Sequence, residues 1–187
     1  MRDIVIIYGG DSVENKISAQ SGEGILKNID QSRFCATLLN IKDLKVDLIK
    51  QDTVIFIAVH GLGGEDGETQ KLLANNGIKF TGSSEDSAKL CWDKISSKAI
   101  MQKNKIPTPP HKIIRKDEKL DLKDQFFLSR ESFFVKPNSN GSSFGVSKVP
   151  DFKLLDQAIK EARKFSEEVI IEEAYNLAEY TVGVLKG

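Results

Sequence analysis

The sequence predicts an α/β protein of two units: a parallel, three-layer first unit and an α+β second unit. Three observations carry this expectation. Short apolar runs rich in β-branched residues alternate with helical segments through about residue 85, the pattern of strands joined by crossover helices. The segment Ile106-Pro107-Thr108-Pro109-Pro110 then interrupts the chain in a way no helix crosses. Beyond it, strand-like runs are joined by a Ser/Asn/Gly-rich loop, which suits hairpins better than βαβ repeats.

The elements follow in order. Residues 3–8 (DIVIIY) form a short apolar run that meets Gly9 and Gly10, as a buried parallel strand ending in a tight turn would. A helix is expected over Asn15 to Asn28, with Ile17, Ile25 and Ile29 near one face and Gly22 and Gly24 weakening it. Residues 36–41 and 53–59 read as strands, the second nearly all apolar. Glu68 to Asn75 reads as a helix closed by Gly77, and Ile78 to Thr81 as a strand. One helix is expected over 86–104, because Ala88, Cys91, Trp92, Ile95 and Ala99 make an apolar stripe. In the second unit, Phe133 to Lys136, Gly145 to Val149, Val169 to Glu173 and Tyr180 to Leu185 read as strands, and 152–165 as an amphipathic helix.

Composition narrows the function. The chain has 187 residues, 40% hydrophobic and 29% charged, ordinary for a globular protein. Its 27 basic and 27 acidic side chains cancel, which weighs against a general nucleic-acid binder. The balance is uneven, however: residues 1–93 carry 10 basic and 14 acidic groups, and residues 94–187 carry 17 and 13. A mildly basic second half suits a phosphate-bearing ligand. Cys35 and Cys91 are too far apart for a CxxC pair and read as reduced thiols, and two histidines argue against a zinc site. No signal peptide or membrane span is evident, so the chain reads as cytoplasmic with no membrane partner.

Four segments could carry chemistry. Gly9-Gly10-Asp11-Ser12-Val13-Glu14 sits where strand one meets helix one, but it is not a GxGxxG fingerprint, and a plain capped turn explains it equally. His60-Gly61-Leu62-Gly63-Gly64-Glu65-Asp66-Gly67 follows the most apolar strand; its four glycines signal a sharp bend or a close approach, or simply a mobile loop. In residues 134–146 a lysine, Lys136, precedes a Gly/Ser hairpin that could cover phosphates, although no P-loop string occurs. Residues 170–179 (IIEEAYNLAE) end a strand in acids and a tyrosine, suited to a purine edge and ribose hydroxyls or merely to solvent.

Taken together and in this order, YGGDSVE, HGLGGEDG, FTGSSEDSAKLCWDK, KPNSNGSSFGVSKV and IIEEAYNLAEYTV resemble the D-alanine–D-alanine ligases of the ATP-grasp superfamily. The resemblance runs from Ile4 to Leu185. It implies a pre-ATP-grasp (Rossmann-like) substrate-binding domain over 1–93 and the small N-terminal lobe of an ATP-grasp domain over 94–187, with the C-terminal lobe absent. The implied reaction, in peptidoglycan synthesis, uses ATP with magnesium or manganese. A phosphoryl group goes to one D-alanine's carboxylate, and a second D-alanine's amine displaces it.

Site residues follow by motif position. The resemblance places Glu14 at the first substrate's ammonium, His60 by its carboxylate, and Ser142 against Glu14, with Glu14 and Ser142 as the catalytic pair. It assigns ATP to Lys94, Lys136, Ser142, Ser143, Glu172, Glu173, Tyr175 and Glu179: lysines to phosphates, residues 172–175 to adenine, Glu179 to ribose. Lys94 also reads as a solvated helix lysine. Metal ligands are expected beyond residue 187, and a homodimer is implied for the full-length family.

Two departures stand out. Phe144 replaces a smaller aliphatic residue in the glycine-rich loop, and Glu173-Ala174-Tyr175 is not the usual adenine segment. The family's third region is missing, so the expectation is a fragment that folds at least partly and does not turn over alone. Alternatives are a D-alanine–D-lactate or D-alanine–D-serine ligase, a non-catalytic nucleotide-binding homologue, or a dinucleotide oxidoreductase, the last disfavoured by the missing GxGxxG.

Overall fold

The computed structural model describes residues 1–183. The chain divides into two compact units, one of residues 1–107 with 138–144 and one of residues 108–137 with those from 145 onward. The junction drawn at 93/94 falls within the first unit.

In the first unit, β1 (Arg2–Tyr8), α1 (Asn15–Asn28), β2 (Phe34–Asn40), β3 (Val54–Ile57), α2 (Glu68–Asn75), β4 (Lys79–Phe80), α3 (Glu85–Trp92) and α4 (Lys94–Lys103) follow in sequence. The sheet order is β2-β1-β3-β4 with every pair parallel. Alternation along β1 fills both faces. Ile4 and Ile6 pack with Ala58, Ile25, Leu26 and Ile29 on one side, and Ile7 packs with Ile55, Val59 and Leu73 on the other. This is the expected three-layer arrangement. Gly22, which weakens α1 by propensity, is needed there: a Cβ would lie 3.1 Å from Tyr8 Cβ and 3.2 Å from Leu38 Cδ2, so the helix could not sit so close to the sheet.

The single helix expected over 86–104 is two helices. Asp93 stands between them with an extended backbone (φ −88°, ψ 104°) and caps α4 by accepting the Ser96 N–H at 2.7 Å. The apolar stripe is broken with it: Ala88 is buried but Cys91 is exposed.

In the second unit, β5 (His111–Ile114), α5 (Gln125–Leu128), β6 (Phe133–Pro137), β7 (Ser147–Val149), α6 (Leu155–Ala162) and β8 (Val169–Glu173) form an antiparallel sheet, order β5-β8-β6-β7, with the helices. Phe127, Phe133, Val135, Leu155, Ile159 and Ile171 lie in one buried cluster. The structure adds β5, which the sequence reading left out. It shortens the 145–149 strand to start at Ser147, because Gly145 takes a left-handed φ of +74°. It also ends the 152–165 helix at Ala162, after a 3-10 turn at Phe152–Leu154. Residues 180–183 are not a strand, and the rest of that expected strand lies outside the described residues. No helix among the described residues is long and apolar enough to cross a membrane.

Candidate functional site

The first unit gathers its polar residues at the carboxyl ends of β1 and β3, where an open parallel sheet leaves room for ligands. Glu14 occupies the N-cap position of α1, where unpaired helix N–H groups favour a carboxylate. Ser12 locks that turn to the neighbouring loop: its Oγ accepts the Glu14 N–H at 3.2 Å and donates to the His60 carbonyl at 2.8 Å. Glu14 is only 1% exposed. Its Oε1 accepts a hydrogen bond from Ser142 Oγ, and its Oε2 is buried with no partner among the described residues. A buried carboxylate oxygen without a donor costs on the order of 1–3 kcal/mol or more.

Two glycines shape the corner. A Cβ at Gly61 (φ +72°) would lie 2.5 Å from Glu14 Oε2, and one at Gly141 would lie 3.0 Å from it and 3.2 Å from Glu65 Oε2. Side chains at either position would fill the space beside the free oxygen.

The loop from His60 to Gly67 is pinned by its own hydrogen bonds. Asp66 accepts from the Gly63 N–H at 2.9 Å, Thr69 Oγ1 donates to the Gly63 carbonyl, and Gln70 Nε2 donates to the Gly64 carbonyl at 2.7 Å. His60 is held from two sides: Nε2 lies 2.9 Å from Ser21 Oγ, and Nδ1 lies 3.4 Å from Glu65 Oε1. Ser21 was missed by the sequence reading. Its signal was the spacing to Ser18, one helical turn earlier on α1, whose hydroxyl bonds the Ala58 carbonyl at 2.7 Å.

The segment 138–144 closes the corner. Ser142 and Ser143 both take left-handed backbone angles (φ +46° and +60°), unusual for residues with a Cβ. Anchors on either side hold them. Lys94 Nζ donates to the Asn140 carbonyl at 2.8 Å and the Asn138 carbonyl at 3.3 Å, and Asn138 Oδ1 accepts the Ile95 N–H at 2.9 Å. Asn138 Nδ2 donates to Asp93 at 2.8 Å. Burial alone would raise the Asp93 carboxyl pKa. The hydrogen bonds from Ser96, Asn138 and Ile95 outweigh it and hold the group below the usual carboxylate range. Lys94 thus braces the hairpin, and the half-exposed Phe144 carbonyl accepts from Asn140 Nδ2 at 3.2 Å.

In the second unit, Lys136 Nζ meets Glu172 Oε2 at 2.5 Å and lies 5.5 Å from the Phe134 ring. Lys148 flanks the same ring at 5.9 Å and donates to Asn176 at 2.7 Å. Glu173 accepts from Arg130 Nε at 3.0 Å and from the Tyr175 hydroxyl at 3.2 Å. Desolvation, then the bond to Glu173 and its charge, push the Tyr175 hydroxyl pKa up, with Arg130 opposing them. Tyr175 and Glu179 are exposed. Among the described residues, no three His, Cys, Asp or Glu side chains come together as a metal cluster.

Comparison with known proteins bears on this geometry. The family described as the D-ala D-ala ligase C-terminus matches residues 100–187. A D-alanine–D-alanine ligase of Methylacidiphilum infernorum is 32% identical over the whole of this chain and 59% of its own length. The structure of a D-alanine–D-alanine ligase from Bacillus anthracis complexed with ATP is similar at a TM-score of 0.81 and 31% identity, over 94% of this chain and 60% of that one. The D-Ala:D-Ser ligase VanG of Enterococcus faecalis is similar at 0.79 and 26% identity, over 94% and 63%.

Proposed function

We propose that the chain, which is similar to D-alanine–D-alanine ligases along its whole length and spans about three-fifths of theirs, serves the ATP-dependent joining of D-alanine's carboxylate to the amine of a second D-alanine, for peptidoglycan synthesis. One observation carries the reading: the buried, half-satisfied carboxylate of Glu14 beside Gly61 and Gly141.

That socket suits a small ammonium. The amine of D-alanine would donate to Glu14 Oε2, while Ser142 holds the other oxygen and keeps the carboxylate oriented. His60, at the edge of the corner, would face the substrate's carboxylate. The missing side chains at Gly61 and Gly141 leave room for the amine. Catalysis here is positioning: the reacting carboxylate is held at a fixed place by groups that need no rearrangement.

ATP supplies the phosphoryl group that activates the carboxylate. The donor set of the second unit fits it. Lys136 offers a point charge for phosphate, oriented by Glu172, and the Phe134 ring offers an apolar face beside it. Residues 172–175 would meet adenine and Glu179 the ribose. Among the described residues no cluster of three His, Cys, Asp or Glu side chains stands ready for magnesium or manganese. A cytoplasmic setting and a homodimer belong to the same proposal.

D-serine as the second substrate is the alternative, favoured by the likeness to the D-Ala:D-Ser ligase. Calorimetric titration of this chain with D-alanine, with L-alanine as control, tests the first subsite. Saturable binding of the D-enantiomer, lost in Glu14→Gln, supports the reading. Equal response to both enantiomers, or none to either, overturns it for this chain. Phosphate release with D-alanine alone and with D-serine added then separates the acceptors.

A further inference from the structure

Resting on that reading of the Glu14 corner, we propose that Ser21 is a positioning residue that fixes the imidazole of His60 in its Nδ1–H form. A neutral imidazole carries one proton, and the groups facing its two nitrogens decide where it sits. Glu65 Oε1 lies 3.4 Å from Nδ1. A carboxylate facing an unprotonated nitrogen would set two lone pairs against each other, so the proton belongs on Nδ1. Nε2 is then the acceptor, and Ser21 Oγ at 2.9 Å supplies the hydrogen. With Glu65 facing Nδ1, the hydrogen that Ser21 donates to Nε2 holds the ring in that one form.

The placement has a consequence for the substrate. Glu65 approaches the place beside Gly141 that Glu14 Oε2 also approaches, 3.2 Å and 3.0 Å from a Cβ built there. Keeping the proton on Nδ1 puts the ring's one donor on its Glu65 side. A substrate whose ammonium sits on Glu14 would meet a ring held from both sides, by Glu65 at Nδ1 and Ser21 at Nε2. Without Ser21, Nε2 loses its hydrogen bond and the proton is free to exchange between the two nitrogens. The ring would then present a donor only part of the time.

Only two histidines are present, which makes the test direct. Long-range proton–nitrogen correlation spectra of the 15N-labelled chain at about pH 9, where an imidazole is neutral, report the protonated nitrogen of each ring. His111, whose Nδ1 lies 3.2 Å from the Pro109 carbonyl, is the internal control and is assigned by its loss in His111→Gln. The expected result is a pyrrole-type Nδ1 and a pyridine-type Nε2 for His60. In Ser21→Ala both signals should move toward the averaged values of an exchanging pair while His111 stays in place, and Ser21→Thr should restore the original pattern. A wild-type His60 protonated on Nε2 overturns the proposal. So does a Ser21→Ala variant that is folded by its amide spectrum and leaves His60 unchanged. If Ser21→Ala does not fold, Ser21→Cys, a poorer donor of similar size, takes its place with the same two outcomes. These spectra contain no D-alanine. Failure of D-alanine to bind would therefore count against the substrate reading and leave the tautomer result standing.

Discussion

Ser142 and Glu14 are 128 positions apart in sequence, and the serine hydroxyl donates to one oxygen of a glutamate that is almost wholly buried. The bond leaves the other oxygen without a partner among the described residues. A folded chain tolerates that only where something else supplies the donor or where function repays the cost.

Replacing Glu14 by Gln should therefore separate function from stability. The amide keeps an acceptor for Ser142 but removes the charge that would hold an ammonium. Loss of a charge-assisted hydrogen bond of about 1.5–3 kcal/mol corresponds to D-alanine affinity weakened roughly ten- to a hundredfold. Chemical denaturation of the variant should show unchanged or increased stability, since an uncompensated buried charge is gone. Both are read by calorimetry and urea titration on the same preparation.

The glycine at position 64 should be intolerant for a different reason. A Cβ there would lie 2.3 Å from the Val59 carbonyl oxygen, a backbone atom that cannot step aside. Gly64→Ala is expected to destabilise the first unit by about 1–3 kcal/mol, the usual range for overpacking. Gly63→Ala, with nothing within 4 Å of the added carbon, meets no such clash and costs only the strain of its φ of +87°. Urea midpoints of the two variants should differ in that order.

How far the sequence foretold this depends on the range of the forces involved. Local signals marked α1 and α2 well, since both end where the apolar period and the Gly or Asn signals stop. The break at Asp93 was not legible, because the stripe from Ala88 to Ala99 continues through it. What breaks the helix is a carboxylate that caps α4 and binds Asn138, a residue 45 positions on. β5 is four residues long after a proline-rich run, and only its pairing with β8 makes it a strand. The glycine-rich loops were ambiguous as local sequence. The whole set of motifs singled out Glu14 and Ser142, which the fold joins. Ser21 has no motif at all; its role comes from the packing of α1 beside the His60 loop.

Asp93 also predicts an acid dependence. Its folded-state pKa lies below the ordinary carboxylate value, so its stabilisation is present above the unfolded value, near 3.8, and is lost as pH falls through the lower folded value. Asp93→Asn keeps a capping oxygen and should flatten the acid limb of the stability curve below about pH 4. Asp93→Ala removes the cap as well and should cost about 1 kcal/mol at neutral pH. Stability measured by urea titration across that pH range distinguishes the two variants.

Lys136 and Glu172 should behave as a coupled pair in the second unit. Their side chains are 28% and 8% exposed, so the pair is largely withdrawn from water. Removing the cation alone, as in Lys136→Met, leaves the acid without this partner and should cost about 3–5 kcal/mol at the buried limit and less given the residual exposure of the lysine. The double change Lys136→Met with Glu172→Leu should recover much of that loss, because two apolar chains of similar size do not need each other's charge. Nucleotide binding should not recover: with the lysine gone, ATP titrated by calorimetry is expected to bind at least about tenfold more weakly in both variants, the loss of one charge-assisted phosphate contact. Recovery of stability without recovery of ATP binding would assign the lysine to the nucleotide. Recovery of both would assign it to the fold alone.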